Sequence, residues 1–448
     1  VNVYYVEEIN PTELMKIGID AMLSSLDPYT DYIPEDDIED YRTMTTGEYG
    51  GIGAIVEKKG GVNTVVMPYE NAPAIRSGLL IGDQILKINN IELNGKKAYE
   101  ISNLLKSQIN SQITLTIKRM DRSEIFEISL VTQKIVIKNV SYAGLINRNL
   151  GYIKLTDFTT NAGKEVGEAL KKLAKQGASK LILDLRGNPG GLLLEAINVA
   201  NIFIPKGVEI VSTKGKLEEW TKIYSTKNQS IDAKIPLVVL TDQRSASAAE
   251  IVAGVIQDYD RGVLVGRKTY GKGLVQQTRP LAYNAQLKVT TAKYYIPSGR
   301  CIQAIDYSTE SSAKIPDSLK STFRTSNGRA VLDGGGIDPD ILIDPPKLST
   351  VCYQLMQRNL IFNYATKYYF EHNTLSNARN FQLSQSEFQQ FLVWLESQSF
   401  DYQTPLEIKI DQALNLAKTA VRSEQIHQSI IELNALLQSE KKEDLVLH

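Results

Sequence analysis

The chain has 448 residues, a formal net charge of −1, 42% hydrophobic and 23% charged residues; this predicts roughly three domains and leaves no basic footprint for nucleic acid. No apolar run approaches the roughly 18 residues of a membrane-spanning helix, and two cysteines without metal-type spacing (Cys301, Cys352) with three late histidines argue against a zinc site. The chain opens at Val1 rather than Met with no signal-type segment, so a mature or trimmed form is expected.

Residues 1–45 predict a helical segment. In PTELMKIGIDAMLSSL, Leu14, Ile17, Ile19, Met22 and Leu23 share an amphipathic face, and Pro11 suits a first-turn position. GEYGGIGA then precedes a strand over 55–58, and residues 72–90 read as a short helix, a Gly-Asp turn and a strand. Strands over 149–158 and in KLILDLRG, separated by an amphipathic helix over 162–174, give a βαβ alternation and a largely parallel sheet. The second strand ends in RGNPGG, where Gly187, Gly190 and Gly191 free backbone N–H groups for an anion or oxyanion nest. The spacing fits neither a dinucleotide fingerprint nor a P-loop, which disfavours phosphate.

PLVVL (236–240) predicts a strand buried on both faces. After a polar break, Ala249, Val252, Ala253 and Ile256 recur at helical spacing, so Ser247 falls at the start of a helix. Backbone N–H groups there lack helical partners and carry the positive end of the dipole, a partly built oxyanion hole. On this stretch alone, Ser245 or Ser247 reads more readily as an N-cap, and the neighbouring passages reverse that balance. GVLVG (262–266) predicts another buried strand, followed by Lys272 between Gly271 and Gly273. A lysine acts as a base only when neutral, which requires lowering its usual pKa of about 10.4 by roughly three units, or about 4 kcal/mol; burial can do this. Gln276 is spaced to hold the amine through its side-chain carbonyl. No histidine precedes His372, so imidazole is a poor candidate base and a Ser–Lys dyad is the natural reading.

LKVTTAKYYIPSG (287–299) alternates like a strand, and Ser298 and Arg300 read as ordinary turn chemistry. Beyond residue 346 the composition shifts to Gln, Leu and Ser with helical periodicity, placing His427 on a helix surface and Trp394 as a core or interface anchor.

Six motifs, GEYGGIGA, DLRGNPGG, SASAAEI with QDY, GKGLVQ, YYIPSGR and GGGIDPD, occur in an order and spacing similar to the carboxy-terminal processing (tail-specific) proteases, serine endopeptidases that carry a PDZ domain. The resemblance covers nearly all of residues 10–345. It implies that Ser247 is the nucleophile, Lys272 the general base and Gln276 its orienting partner. It assigns the oxyanion hole to the N–H groups of Gly190, with Gly191 as second choice, and Ala248. Asp258 matches an acidic position with a structural or pKa-setting role. Two departures stand out: Ala249 where a second small polar residue is usual, and Asp260, close enough to Asp258 that one carboxyl could be raised.

The implied fold is a multidomain α/β protein with a PDZ domain (46–135) before a crotonase-like α/β protease core (136–346). Helical segments occupy 1–45 and 347–448. In the PDZ segment, Gly51, Ile52, Gly53 and Ala54 would hold a peptide's C-terminal carboxylate, with Ile101 and Leu105 facing its apolar side chain. The implied partners are protein substrates with apolar C-termini, together with a second copy bound through the helical segments; neither cofactor nor metal is expected. The family's usual setting is the periplasm or cell envelope. The alternatives are a catalytically inert PDZ-containing peptide-binding scaffold and a crotonase-like acyl-CoA enzyme, the latter disfavoured by the PDZ segment and the dyad.

Overall fold

The apolar runs LILD and LVVL become neighbouring parallel strands because side chains on both faces must be covered. The computed structural model describes residues 4–307, 313–346, 348–372, 374–378, 380–400, 405–419, 428–433 and 435–437. His427 lies outside them. The chain divides into two compact units, residues 1–49 with 136–344, and residues 50–135 with 345–448.

The first unit is built on a six-stranded sheet in the order Val140–Leu145, Leu150–Leu155, Lys180–Asp184, Leu237–Thr241, Val263–Gly266, Ile341–Leu342. Its first pair is antiparallel and the rest are parallel. Helices Ala162–Lys175, Leu193–Phe203 and Ala248–Asp258 connect these strands. All eleven residues of Ala248–Asp258 are buried, which accounts for a helix apolar on nearly every side. A second, antiparallel sheet joins Asp31–Ile33, Gln286–Tyr295, Glu209–Gly215 and Lys222–Ser225, with Leu274–Pro280 also paired to Gln286–Tyr295. The N-terminal residues are thereby part of the same unit as the parallel sheet.

Helix Pro11–Ser24 starts where Asn10 Oδ1 accepts the N–H groups of Thr12 and Glu13. None of its residues is buried. Of its amphipathic face, Ile19 and Leu23 are half-buried while Leu14, Ile17 and Met22 stay exposed.

In the second unit, an antiparallel sheet runs Ala54–Lys59, Val62–Pro68, Gln84–Ile88, Gln112–Lys118, Phe126–Val131. Ala54–Lys59 lies at its edge. Ile52, Val65, Leu115, Ile101 and Leu105 share its core. Four described helices, Thr350–Gln357, Leu360–Glu371, Gln385–Ser397 and Pro405–Thr419, complete this unit. Trp394 and Phe391 pack on Tyr364 at centroid distances of 5.1 and 4.9 Å, so Trp394 is a core anchor. No helix among the described residues is long and apolar enough to cross a membrane.

Among the described residues, Asp258 and Arg300 form the most deeply buried ion pair of the first unit. Arg300 is 1% exposed, and its Nη2 donates to Asp258 Oδ1 and Gln257 Oε1, each at 2.8 Å. The other carboxylate oxygen accepts Ser298 N at 3.0 Å. Asp258 therefore braces the turn after Gln286–Tyr295. Nearby Asp260 belongs to a separate pairing with Arg329 and the Asn327 N–H. Burial acts to raise its pKa, but the Asn327 N–H, Arg329 and Thr325 outweigh it and hold the carboxyl below its usual range. Asp258→Ala strands the Arg300 charge and should cost about 3–5 kcal/mol, read as a lower urea midpoint for the full chain; an unchanged midpoint would remove the bracing role.

Candidate active site

The strand Leu237–Thr241 ends in a turn tied by one carboxylate: Asp242 Oδ1 accepts the N–H groups of Arg244 at 2.9 Å, Ser245 at 3.1 Å and Gly187 at 2.9 Å. Ser245 is fully buried, and its hydroxyl donates to Leu185 O at 2.9 Å. Ser245 is thus the structural serine. Ser247, half-buried, stands at the entry to Ala248–Asp258 with φ 53° and ψ −112°. A non-glycine residue in this region stores about 1–3 kcal/mol of strain, typical of a nucleophile held on a sharp strand-to-helix turn.

Gly190 approaches this elbow so closely that a Cβ would lie 2.6 Å from Ala246 O, 2.8 Å from Ser247 Cβ and 2.9 Å from Ala248 N. Its φ of +98° independently favours glycine. The Gly190 N–H, however, donates to Asn188 Oδ1 at 2.8 Å. Asn188 is fully buried and its carbonyl accepts Ala246 N, so it clamps the glycine turn to the elbow. Among the described residues, the N–H groups of Ala248 and Gly191 have no intramolecular partner. Two free donors thus flank Gly190, whose own N–H is occupied.

Lys272 follows Val263–Gly266 in a loop gathered around Glu250. This fully buried carboxylate accepts Ser247 N at 2.8 Å, Thr269 Oγ1 at 2.5 Å, Gly271 N at 2.7 Å and Lys272 N at 2.9 Å. Burial pushes Glu250 up to about 7 against the pull of these four donors. The backbones of the serine and the lysine are therefore fastened to the same side chain.

Burial lowers the Lys272 amine to about 8; Lys288 adds to the effect, while Asp27 and Glu250 oppose it. Among the described residues Nζ makes no hydrogen bond, and it sits 4.2 Å from the centroid of the Tyr29 ring. Gln276 does not hold this amine. Its Nε2 donates to Thr290 Oγ1 at 3.1 Å, because the two are cross-strand partners in the antiparallel pair.

In the other unit, Ile52 is 1% exposed and contributes to the core along with Ile101 (5%) and Leu105 (7%). Ile101 and Leu105 therefore face inward, while Ala54, Val56 and Leu104 remain half-buried against this core. Gly51 and Gly53 lead into the strand beginning at Ala54, which is at the edge of its sheet among the described residues.

Glu250, Thr269, Asn188 and Tyr29 are site residues that the sequence reading missed. A signal existed for Glu250, since Ser247-Ala-Ala-Glu250 has the S-x-x-E spacing of a capping box and the acid interrupts an apolar helix. Among the described residues no cluster of three or more His, Cys, Asp or Glu could hold a metal ion.

Residues 149–311 match the family described as peptidase family S41, residues 50–130 a PDZ domain, and residues 351–448 the family described as "Probable PDZ-protease, C-terminal helical domain". The chain is similar to a carboxy-terminal-processing protease of Bartonella bacilliformis, 38% identical over 309 residues, covering 68% of this chain and 70% of that protein. It is 33% identical over 351 residues to a "Probable CtpA-like serine protease" of Staphylococcus aureus, covering 78% of this chain and 63% of that one. A solved photosystem II D1 C-terminal processing protease aligns at 27% identity and a TM-score of 0.42, over 78% of this chain and 86% of that one.

The elbow strain has a measurable consequence. Ser247→Gly removes the Cβ conflict and should raise stability by about 1 kcal/mol after the entropic cost of glycine, seen as a Tm increase of roughly 2–4 °C. A lower Tm would mean that the serine is not strained.

Proposed function

The chain belongs to the carboxy-terminal-processing serine proteases of peptidase family S41, and on that premise we propose that it cleaves peptide bonds with Ser247 as nucleophile and Lys272 as general base. The observation that carries this reading is the shared fastening of both residues to Glu250, with free N–H donors beside the elbow.

Neutral Lys272 accepts the Ser247 Oγ proton as the oxygen attacks the scissile carbonyl. Negative charge then grows on the carbonyl oxygen, where preoriented N–H groups stabilise it most. Ala248 supplies one donor. The second comes from the Gly190–Gly191 turn, directly from Gly191 or from Gly190 once Asn188 releases it. The lysine ammonium passes its proton to the departing amine, and the regained base activates water to free the acyl group. Gln276 joins the lysine only by leaving Thr290.

The glycine segment Gly51, Ile52, Gly53 and Ala54 with its unpaired edge strand supports capture of a substrate's C-terminus by strand addition. Apolar tails are the ligand class, seated against the half-buried Ala54, Val56 and Leu104 that pack on the core containing Ile101 and Leu105. The exposed Leu14, Ile17 and Met22 of the N-terminal helix support a homodimer. The family's setting supports a periplasmic or cell-envelope location.

The test is degradation of an unfolded protein ending in apolar residues across pH 6–10. With an amine titrating at about 8, the neutral fraction rises from about 10% at pH 7 to about 90% at pH 9, so kcat/KM should climb close to tenfold. Ser247→Ala should abolish cleavage, and Lys272→Ala should reduce it by about 10²–10⁴. Tail binding without cleavage by wild type would favour the inert scaffold.

A further inference from the structure

Tyr29 lies 243 positions before Lys272 in the sequence, and its aromatic face lies 4.2 Å from the Lys272 Nζ, which makes no hydrogen bond among the described residues. The approach is built. Asp27, 7% exposed, accepts the Tyr29 and Thr30 N–H groups, each at 2.8 Å, and the Thr30 hydroxyl at 3.0 Å. This closes a tight turn that fixes the Tyr29 backbone. Thr30 Oγ1 in turn accepts Thr290 N at 3.2 Å. The next residues pair in register with the same long strand, Asp31 opposite Lys288. Tyr307 supports the Tyr29 ring edge-on at 6.2 Å.

We propose that Tyr29 is a positioning residue for Lys272, its ring a platform on which the ammonium rests after taking the nucleophile's proton. This rests on the reading of Lys272 as general base. A ring face attracts a cation and is indifferent to a neutral amine. The platform therefore steadies the charge that appears on Nζ as Ser247 attacks, and by the same preference it keeps the resting amine protonated to a higher pH. The other groups facing the amine are Asp27 from the N-terminal turn and Glu250 from the buried helix, which favour the ammonium, and Lys288 from the long strand, which opposes it. Tyr29 itself remains a neutral phenol: burial raises its pKa first, and Tyr270 and Tyr307 add to the rise.

The experiment follows Lys272 directly, by NMR of ¹³Cε-labelled lysine in the full chain carrying Ser247→Ala, with Lys272→Arg identifying the resonance. A cation–π contact of ordinary strength corresponds to a fivefold change in the protonation equilibrium, so Tyr29→Leu should make Lys272 titrate about 0.7 pH units lower. Tyr29→Phe keeps the ring and should restore the wild-type titration, and Tyr29→Trp should move it upward. In the Ser247 enzyme, the acid limb of kcat/KM should move with each variant in the same direction. An unchanged titration in both Leu and Trp variants, or the same shift in Phe as in Leu, would overturn the platform. The Trp variant reads the contact even if Leu lowers stability too far to measure. Full cleavage by Lys272→Ala would instead refute the base assignment, while the NMR titration still decides the role of Tyr29.

Discussion

A carboxylate with no access to water must be surrounded by donors or give up its charge, and Glu250 has gathered four of them, one from the start of its own helix and three from residues 269–272. Three are backbone N–H groups, so what it fixes is main-chain position rather than side-chain preference. One belongs to Ser247 and one to Lys272. The carboxylate also lies in the first turn of Ala248–Asp258, where the helix dipole favours negative charge. Without this junction, neither the strained turn nor the lysine loop has a reason to hold its place.

The strain at Ser247 persists because its surroundings over-determine it. Asp242 closes the turn before it, Asn188 clamps the glycine turn beside it, and a helix with eleven buried residues follows it. Each of Ile251, Val252, Val255 and Ile256 contributes about 1.5–3 kcal/mol through burial, several times the local cost of the elbow. Rigid packing on one side thus maintains an unfavourable backbone on the other.

The parts legible in the sequence were those whose chemistry is local. The strand Leu237–Thr241, the helix after it, and the small residue needed at Gly190 follow from apolar runs, spacing and steric limits over a few positions. The same holds for Pro11 at the start of the N-terminal helix. What escaped depends on partners far along the chain. Gln276 faces Thr290 because of strand register, Asp260 is claimed by Arg329, and Gly190 N–H is taken by a side chain two residues earlier in a turn whose shape spacing does not specify. Ile101 and Leu105 were placed on the correct helix, but its inward rotation is set by packing against Ile52 and Val65. Glu250 was legible as a capping acid, yet its reach to Gly271 and Lys272 was not.

The antiparallel seat of Asp31–Ile33 on Gln286–Tyr295 imposes an order on biosynthesis. The turn at residues 27–30 leaves the ribosome well before the strand that anchors it, which is made some 260 residues later. Contacts this remote form only after the intervening chain exists, and closing so large a loop is entropically unfavourable until both ends can pair. The wall beside Lys272 that contains Tyr29 therefore assembles only after Gln286–Tyr295 has been made. A nascent chain carries its serine, its glycine turn and its buried helix while still lacking that wall, so its topology delays the completed site until Gln286–Tyr295 has been synthesised.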